Sequence, residues 1–149
     1  TDLNKYNKST LKLAKLLDDG HEWAGSKQTH LQRVNGTMNI EFDNTEQQAK
    51  GKADLRNTIH LRGPNAYLSV AYLIPPHSKD SRFSLEINDA ETNLKIWREH
   101  LKGNQGKTAY QFFILPENAL GKKITLSITN NDYKKKVDSI ILKELLLYY

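Results

Sequence analysis

The sequence predicts an all-β domain, a two-sheet antiparallel sandwich. Three observations carry that prediction. Apolar residues alternate with polar ones along most of the chain after residue 28, as in Met38-Asn39-Ile40-Glu41-Phe42 and Ile124-Thr125-Leu126-Ser127-Ile128. Such period-two patterning buries one face of a strand. Turn-forming residues punctuate the runs every 8–12 residues, at Gly63-Pro64-Asn65, Pro75-Pro76, Asn88-Asp89, Gly103-Asn104-Gln105-Gly106 and Asn130-Asn131-Asp132. No helical periodicity follows residue 20, so the crossover helices of a parallel sheet have nowhere to sit.

The elements follow in order. Leu13, Ala14, Leu16 and Leu17 form a helical stripe that Ser9 or Thr10 can cap and Asp18-Asp19-Gly20 can end, so a short N-terminal helix is predicted. Residues 1–18 are read as an N-terminal extension and 19–149 as the sandwich. Strands are predicted at 38–42, at 53–55 with 59–61, and at 67–74. This last run is apolar on both parities, as expected of a central strand. Further strands follow at 83–87, 94–98, 110–114, 124–128 and 137–142. The expected core comprises Ile40, Phe42, Val70, Phe83, Leu85, Phe112, Ile114, Ile124, Leu126, Ile128 and Ile140.

Composition narrows the classes of function. A chain of 149 residues is one domain. It has no cysteine, so it has no disulfide framework, thiol nucleophile or Cys-based metal site. No apolar run is long enough to span a membrane, and Thr1-Asp2-Leu3-Asn4-Lys5 does not read as a signal peptide. Lys and Arg total 22 against 17 Asp and Glu, a net charge of +5. The basic clusters Lys122-Lys123 and Lys134-Lys135-Lys136 lie at opposite ends of the expected closing strands. They do not make one polyanion groove, and nucleic acid is not an expected partner.

Three segments resemble the galactose-binding-like jelly-roll superfamily, which includes carbohydrate-binding modules and discoidin-like domains. Leu115 followed by Gly121-Lys122-Lys123-Ile124-Thr125-Leu126-Ser127-Ile128, and Val137-Asp138-Ser139-Ile140-Ile141-Leu142, are similar to its closing hairpin. Asp19-Gly20-His21-Glu22-Trp23-Ala24-Gly25-Ser26 is similar to the discoidin-type opening loop. The resemblance implies a jelly-roll sandwich and, for function, an extracellular, non-catalytic module that binds a glycan or cell-surface polymer, secreted or displayed at the cell surface. It further implies a structural calcium ion between Asp138 and an earlier carboxylate, Asp19, Glu41 or Asp43.

The residues themselves nominate a ligand site. Sugars need flat apolar faces and planar polar side chains around them. Trp97, Arg98 and His100 form the densest such cluster, and Asn130, Asn131, Tyr133 and Trp23 complete the candidate set. Core packing is the competing role for Trp97, because tryptophan is highly buried on average. The histidines at 21, 30, 60, 77 and 100 show no ligand spacing and are expected to be solvated or structural. No nucleophile elbow, phosphate loop or dinucleotide fingerprint occurs. A structural or protein-interaction domain of a bacterial surface, phage or toxin assembly is the alternative function. A polysaccharide-active enzyme ranks third.

Overall fold

A computed structural model describes residues 11–26, 28–46, 50–132 and 134–149. Two antiparallel sheets pack face to face. The first, sheet A, has the order β10 (Thr108–Ile114), β7 (Tyr67–Leu73), β12 (Val137–Tyr148), β4 (Thr37–Asp43) and β3 (Thr29–Val34), and β1 (Leu13–Lys15) pairs with the far end of β12. The second, sheet B, has the order β2 (Trp23–Gly25), β5 (Lys52–Leu55), β11 (Lys123–Asn130), β8 (Phe83–Asp89) and β9 (Lys95–Leu101). There β6 (Ile59–His60) extends β11 beyond β5. The expected antiparallel sandwich is therefore present, with its strands distributed between sheets as in a jelly roll.

Alternation in the sequence becomes alternation in space. Met38, Ile40 and Phe42 of β4 and Ile124, Leu126 and Ile128 of β11 are fully buried between the sheets. Phe83, Leu85 and Ile87 of β8 meet them there, with Phe42 and Phe83 ring centroids 5.8 Å apart. Each buried aliphatic or aromatic side chain contributes about 1.5–3 kcal/mol by leaving water. Tyr72 buries its ring in the same layer. Its hydroxyl donates to the Lys102 carbonyl at 2.6 Å and accepts from Gln111, so the buried oxygen is satisfied.

Three expectations need correction. The predicted N-terminal helix falls partly on residues 1–10, outside the described residues. Where the chain is described, Leu13–Lys15 is a strand, paired Leu13 to Tyr148 and Lys15 to Leu146. Ala14, Leu16 and Leu17 are buried in the core. A short stripe of leucines fits either period, and the unpaired edge of β12 beyond β4 decides for the strand.

The second correction concerns β10. Phe112 and Ile114 were expected inside, but Ile114 is 60% exposed and Phe112 stacks outside on Tyr67 at 5.7 Å. Phe113 points inward instead, meeting Trp97 edge-on at 5.2 Å. Period two cannot choose a face when both parities are apolar, and one step of register reverses every side chain.

Third, β11 and β12 are not a hairpin. They belong to different sheets, β11 to sheet B and β12 to sheet A. The basic clusters at 122–123 and 134–136 still lie at opposite ends of β11, as expected.

Candidate functional site

The outward face of sheet B is built from residues whose partners across the sheet are polar. On β8, Ser84, Glu86 and Asn88 alternate with the buried Phe83, Leu85 and Ile87. The register brings Glu86 beside Ser127 of β11 and Arg98 of β9, and Ser84 beside Thr129 and His100. Lys52 and Asp54 of β5 continue the face, because Asp54 pairs with Ser127 and Lys52 with Thr129.

Glu86 is the centre of this face and is fully buried, although it points away from the core. Thr129 donates to its Oε2 at 2.8 Å, and Ser84 reaches the same oxygen at 3.4 Å. Three cations lie across it: Lys95 Nζ at 3.4 Å from Oε1, and Lys50 Nζ and Arg98 Nε each at 3.9 Å from Oε2. Burial works to raise the Glu86 pKa. The Thr129 hydroxyl and the charges of Lys95, Lys50 and Lys52 outweigh it and hold the carboxyl below its ordinary value. Lys50 bears the crowding. Burial and its cationic neighbours lower its pKa against the pull of Glu86.

The face retains acceptor capacity. Asn131 Oδ1 is buried without a hydrogen-bond partner, and Glu86 Oε1 meets only the Lys95 ammonium, 3.4 Å away. Asn131 donates through Nδ2 to Ser84 Oγ at 2.8 Å, and Ser84 lies 2.7 Å from the Thr129 hydroxyl. Asp54 Oδ1 accepts from Ser127 at 2.5 Å. The result is a connected floor of carboxylate, amide and hydroxyl groups under long, partly exposed cationic side chains. Chemically, it can accept hydroxyl donors at the floor and offer charged donors from above.

Of the residues nominated from sequence, Arg98, His100 and Asn131 lie on this face. Trp97 does not. It is opposite the buried Ile87 and turns toward Phe113 between the sheets. Trp23 is likewise packed against the core, with Nε1 donating to the Leu16 carbonyl at 2.8 Å. Asn130 is fully buried at the end of β11. Tyr133 lies outside the described residues. Glu86 and its partners Ser84, Thr129, Lys50 and Lys95 were missed. The alternation Ser84-Leu85-Glu86-Ile87 signals that Glu86 faces outward, but its cations come from other strands and from the segment before β5.

Asp138 and Asp19 are not brought together. Asp138 is fully buried and is surrounded by donors. Ser78 reaches its Oδ1 at 3.2 Å and Ser81 hydrogen-bonds the same atom. Asn130 Nδ2 lies 3.3 Å from Oδ2, and Lys136 Nζ is 3.3 Å from Oδ1. A calcium ion requires oxygens converging on it, whereas hydrogens converge here. Asp19 sits in the turn that Arg33 holds through the Leu17, Asp18 and His21 carbonyls. Arg33 is level with Met38 and Leu142, four residues and roughly 13 Å along β12 from Asp138. Glu41 and Asp43 flank Phe42 and face the other side of sheet A from Asp138. The calcium-binding set does not fit this arrangement. Among the described residues, no group of three or more His, Asp or Glu side chains could hold a metal.

The two packed antiparallel sheets make this a β-sandwich of jelly-roll type, with one polar outward face. Its neighbours among solved structures include carbohydrate-binding modules and, over about a fifth of their length, glycoside hydrolase chains such as PfGH50B. One is a family 29 module, CBM29-2, in complex with cellulohexaose, at TM-score 0.67 and 14% identity over 93% of this chain and 91% of that one. The CBM29_1 module from Piromyces equi aligns at TM-score 0.66 and 7% identity over 93% and 91% of the two chains. CBM86 from Roseburia intestinalis, a low-affinity xylan-binding module, aligns at TM-score 0.61 and 12% identity over 94% and 95%. At these identities the likeness is one of fold. No family model and no curated protein matches the chain.

Proposed function

We propose that this domain is a glycan-binding module and that the polar face of sheet B is its ligand platform. The observation that carries the proposal is Glu86, a carboxylate preorganised on an outward face beneath Arg98, Lys50 and Lys95 and linked through Ser84 to Asn131, whose Oδ1 has no hydrogen-bond partner. Sugar hydroxyls are donors that such acceptors take up, and an arginine at the rim offers planar, paired donors in return. The neighbouring modules crystallised with cellulohexaose or described as binding xylan support a polysaccharide ligand. A ligand of that kind goes with secretion or surface display. Among the described residues, no helix is long and apolar enough to cross a membrane.

Binding rather than turnover suits the electrostatics. A general acid needs a raised pKa, and that of Glu86 is lowered. A protein-contact role is favoured by a different feature, the apolar strip of Tyr110, Ile114 and Leu13 on the outside of sheet A, which are 79%, 60% and 47% exposed.

A glycan array followed by calorimetry on the retained polysaccharides tests the reading. Wild-type protein is expected to bind a neutral β-glucan or xylan. Arg98→Ala is expected to bind it about tenfold more weakly, the loss associated with a hydrogen bond to a charged group. No glycan bound at millimolar concentration would overturn the reading, as would binding indifferent to Arg98. Self-association instead, abolished by Tyr110→Ala, would favour protein contact.

A further inference from the structure

A second concavity lies at the other end of sheet B, where β6, the loop after it, the start of β1 and the end of β12 meet. Its volume is about 600 Å³, within the range of small-molecule sites. Its polar lining is one-sided. Lys12, His21, Asn57, His60 and Arg62 face it, and none of its lining side chains is acidic. Lys12 and Arg62 are exposed, and neither forms an ion pair with a described residue. The His21 Nδ1 atom is buried without a partner. Asn57 receives the Glu22 amide on its Oδ1 at 2.7 Å, which fixes its side chain and leaves its amide nitrogen as a donor. Glu22 is the adjacent acid in the chain, and its side chain is not part of the lining.

Charge alone indicates an anion. The remaining walls indicate what carries it. Tyr149, joined to Lys12 by reciprocal backbone hydrogen bonds, and Pro64, two residues from Arg62, supply apolar surface beside the cations. A small inorganic ion would leave that surface and most of the volume unused. A sugar ring carrying a carboxylate uses all three features: its C–H face against Tyr149, its hydroxyls on Asn57 and the imidazoles, and its carboxylate on Arg62 and Lys12. We propose that this cleft is a subsite for an acidic sugar of the uronate class, separate from the sheet B platform. The inference rests on the glycan-binding reading and adds the ligand's charge to it.

Calorimetry on the whole chain tests the proposal with three probes: glucuronate- and galacturonate-containing oligosaccharides, their neutral glucose and galactose counterparts, and inorganic phosphate. Uronate oligosaccharides are expected to bind more tightly than neutral ones. Their affinity should fall about tenfold in Arg62→Ala and in Lys12→Ala. The ring resonances of His21 and His60 should move during the titration. Equal affinity for neutral sugars would overturn the proposal, as would indifference to Arg62. Phosphate bound as tightly as the uronates would overturn the sugar assignment. If neutral glycans bind through Arg98 while uronates do not bind, the cleft proposal falls and the platform stands. If uronates bind through Arg62 and no neutral polysaccharide binds, the platform falls and the cleft stands.

Discussion

Replacing Glu86 with glutamine tests the centre of the polar face, because the side chain keeps its size and loses its charge. The carboxylate accepts from Thr129 at 2.8 Å and meets three cations at 3.4–3.9 Å. A hydrogen bond to a charged acceptor is worth about 1.5–3 kcal/mol. The cations are 32–41% exposed, so each can turn to water when its partner is neutralised. Each pair therefore adds only about 0.2–1 kcal/mol, less than additively. Together these terms give a loss of about 2–3 kcal/mol, or a fall in Tm of about 5–10 °C for a domain of this size.

The pH dependence is a sharper check. The Glu86 pKa is lower in the folded state than in the unfolded chain, where a glutamate titrates near ~4.3. Its stabilisation is therefore fully present above that value and is lost as pH falls through the lower, folded value. The Tm difference between wild type and Glu86→Gln, followed by circular dichroism, should stay constant down to about pH 5 and close only below about pH 4. A difference that persists unchanged to pH 3, or no difference at neutral pH, would refute the charge network as its source.

Other perturbations separate the remaining parts. Asp138→Ala leaves Ser78, Ser81 and Asn130 facing a buried void while Lys136, 31% exposed, can turn to water, so denaturant titration should show a loss of about 2–4 kcal/mol. The same donors occupy the carboxylate without a metal, so Tm should be equal in calcium and in chelator; a rise with calcium would contradict this. On β10, Ile114→Ala should change stability by less than about 0.5 kcal/mol. Phe113→Ala should cost several times as much by emptying the space beside Trp97.

The strands were legible wherever one parity was apolar and the other polar. For β4, β8 and β11, the sequence pattern alone identifies the residues that face the core; it does not reveal that Ser84, Glu86, Ser127 and Thr129 on the other face are buried as well. It failed where both parities were apolar, as in Phe112-Phe113-Ile114, because only the neighbouring strand settles which side faces inward. Arg98, His100 and Asn131, nominated from their residue types, lie on the polar face, whereas the tryptophan beside Arg98 turns into the core. Glu86 was not found because a carboxylate in a strand is unremarkable until Lys50, Lys95 and Arg98 arrive from elsewhere. The cleft was invisible for the same reason. His21 and His60 are 39 residues apart in sequence and line one cavity only after β6 docks on β11.

The position of β12 governs the order in which the sandwich can assemble. It is the last strand of this chain, yet it lies inside sheet A, bonded to β7 on one side and to β4 and then β1 on the other. Until residues 137–148 leave the ribosome, β1, β4 and β7 lack the neighbour that joins them. Hydrophobic faces made first must wait exposed for a strand made last. Pairing across such separations is slow, since loop closure comes before any gain from the contacts. Sheet A should therefore form in one late, cooperative step, and a nascent chain halted before residue 137 should remain protease-sensitive throughout.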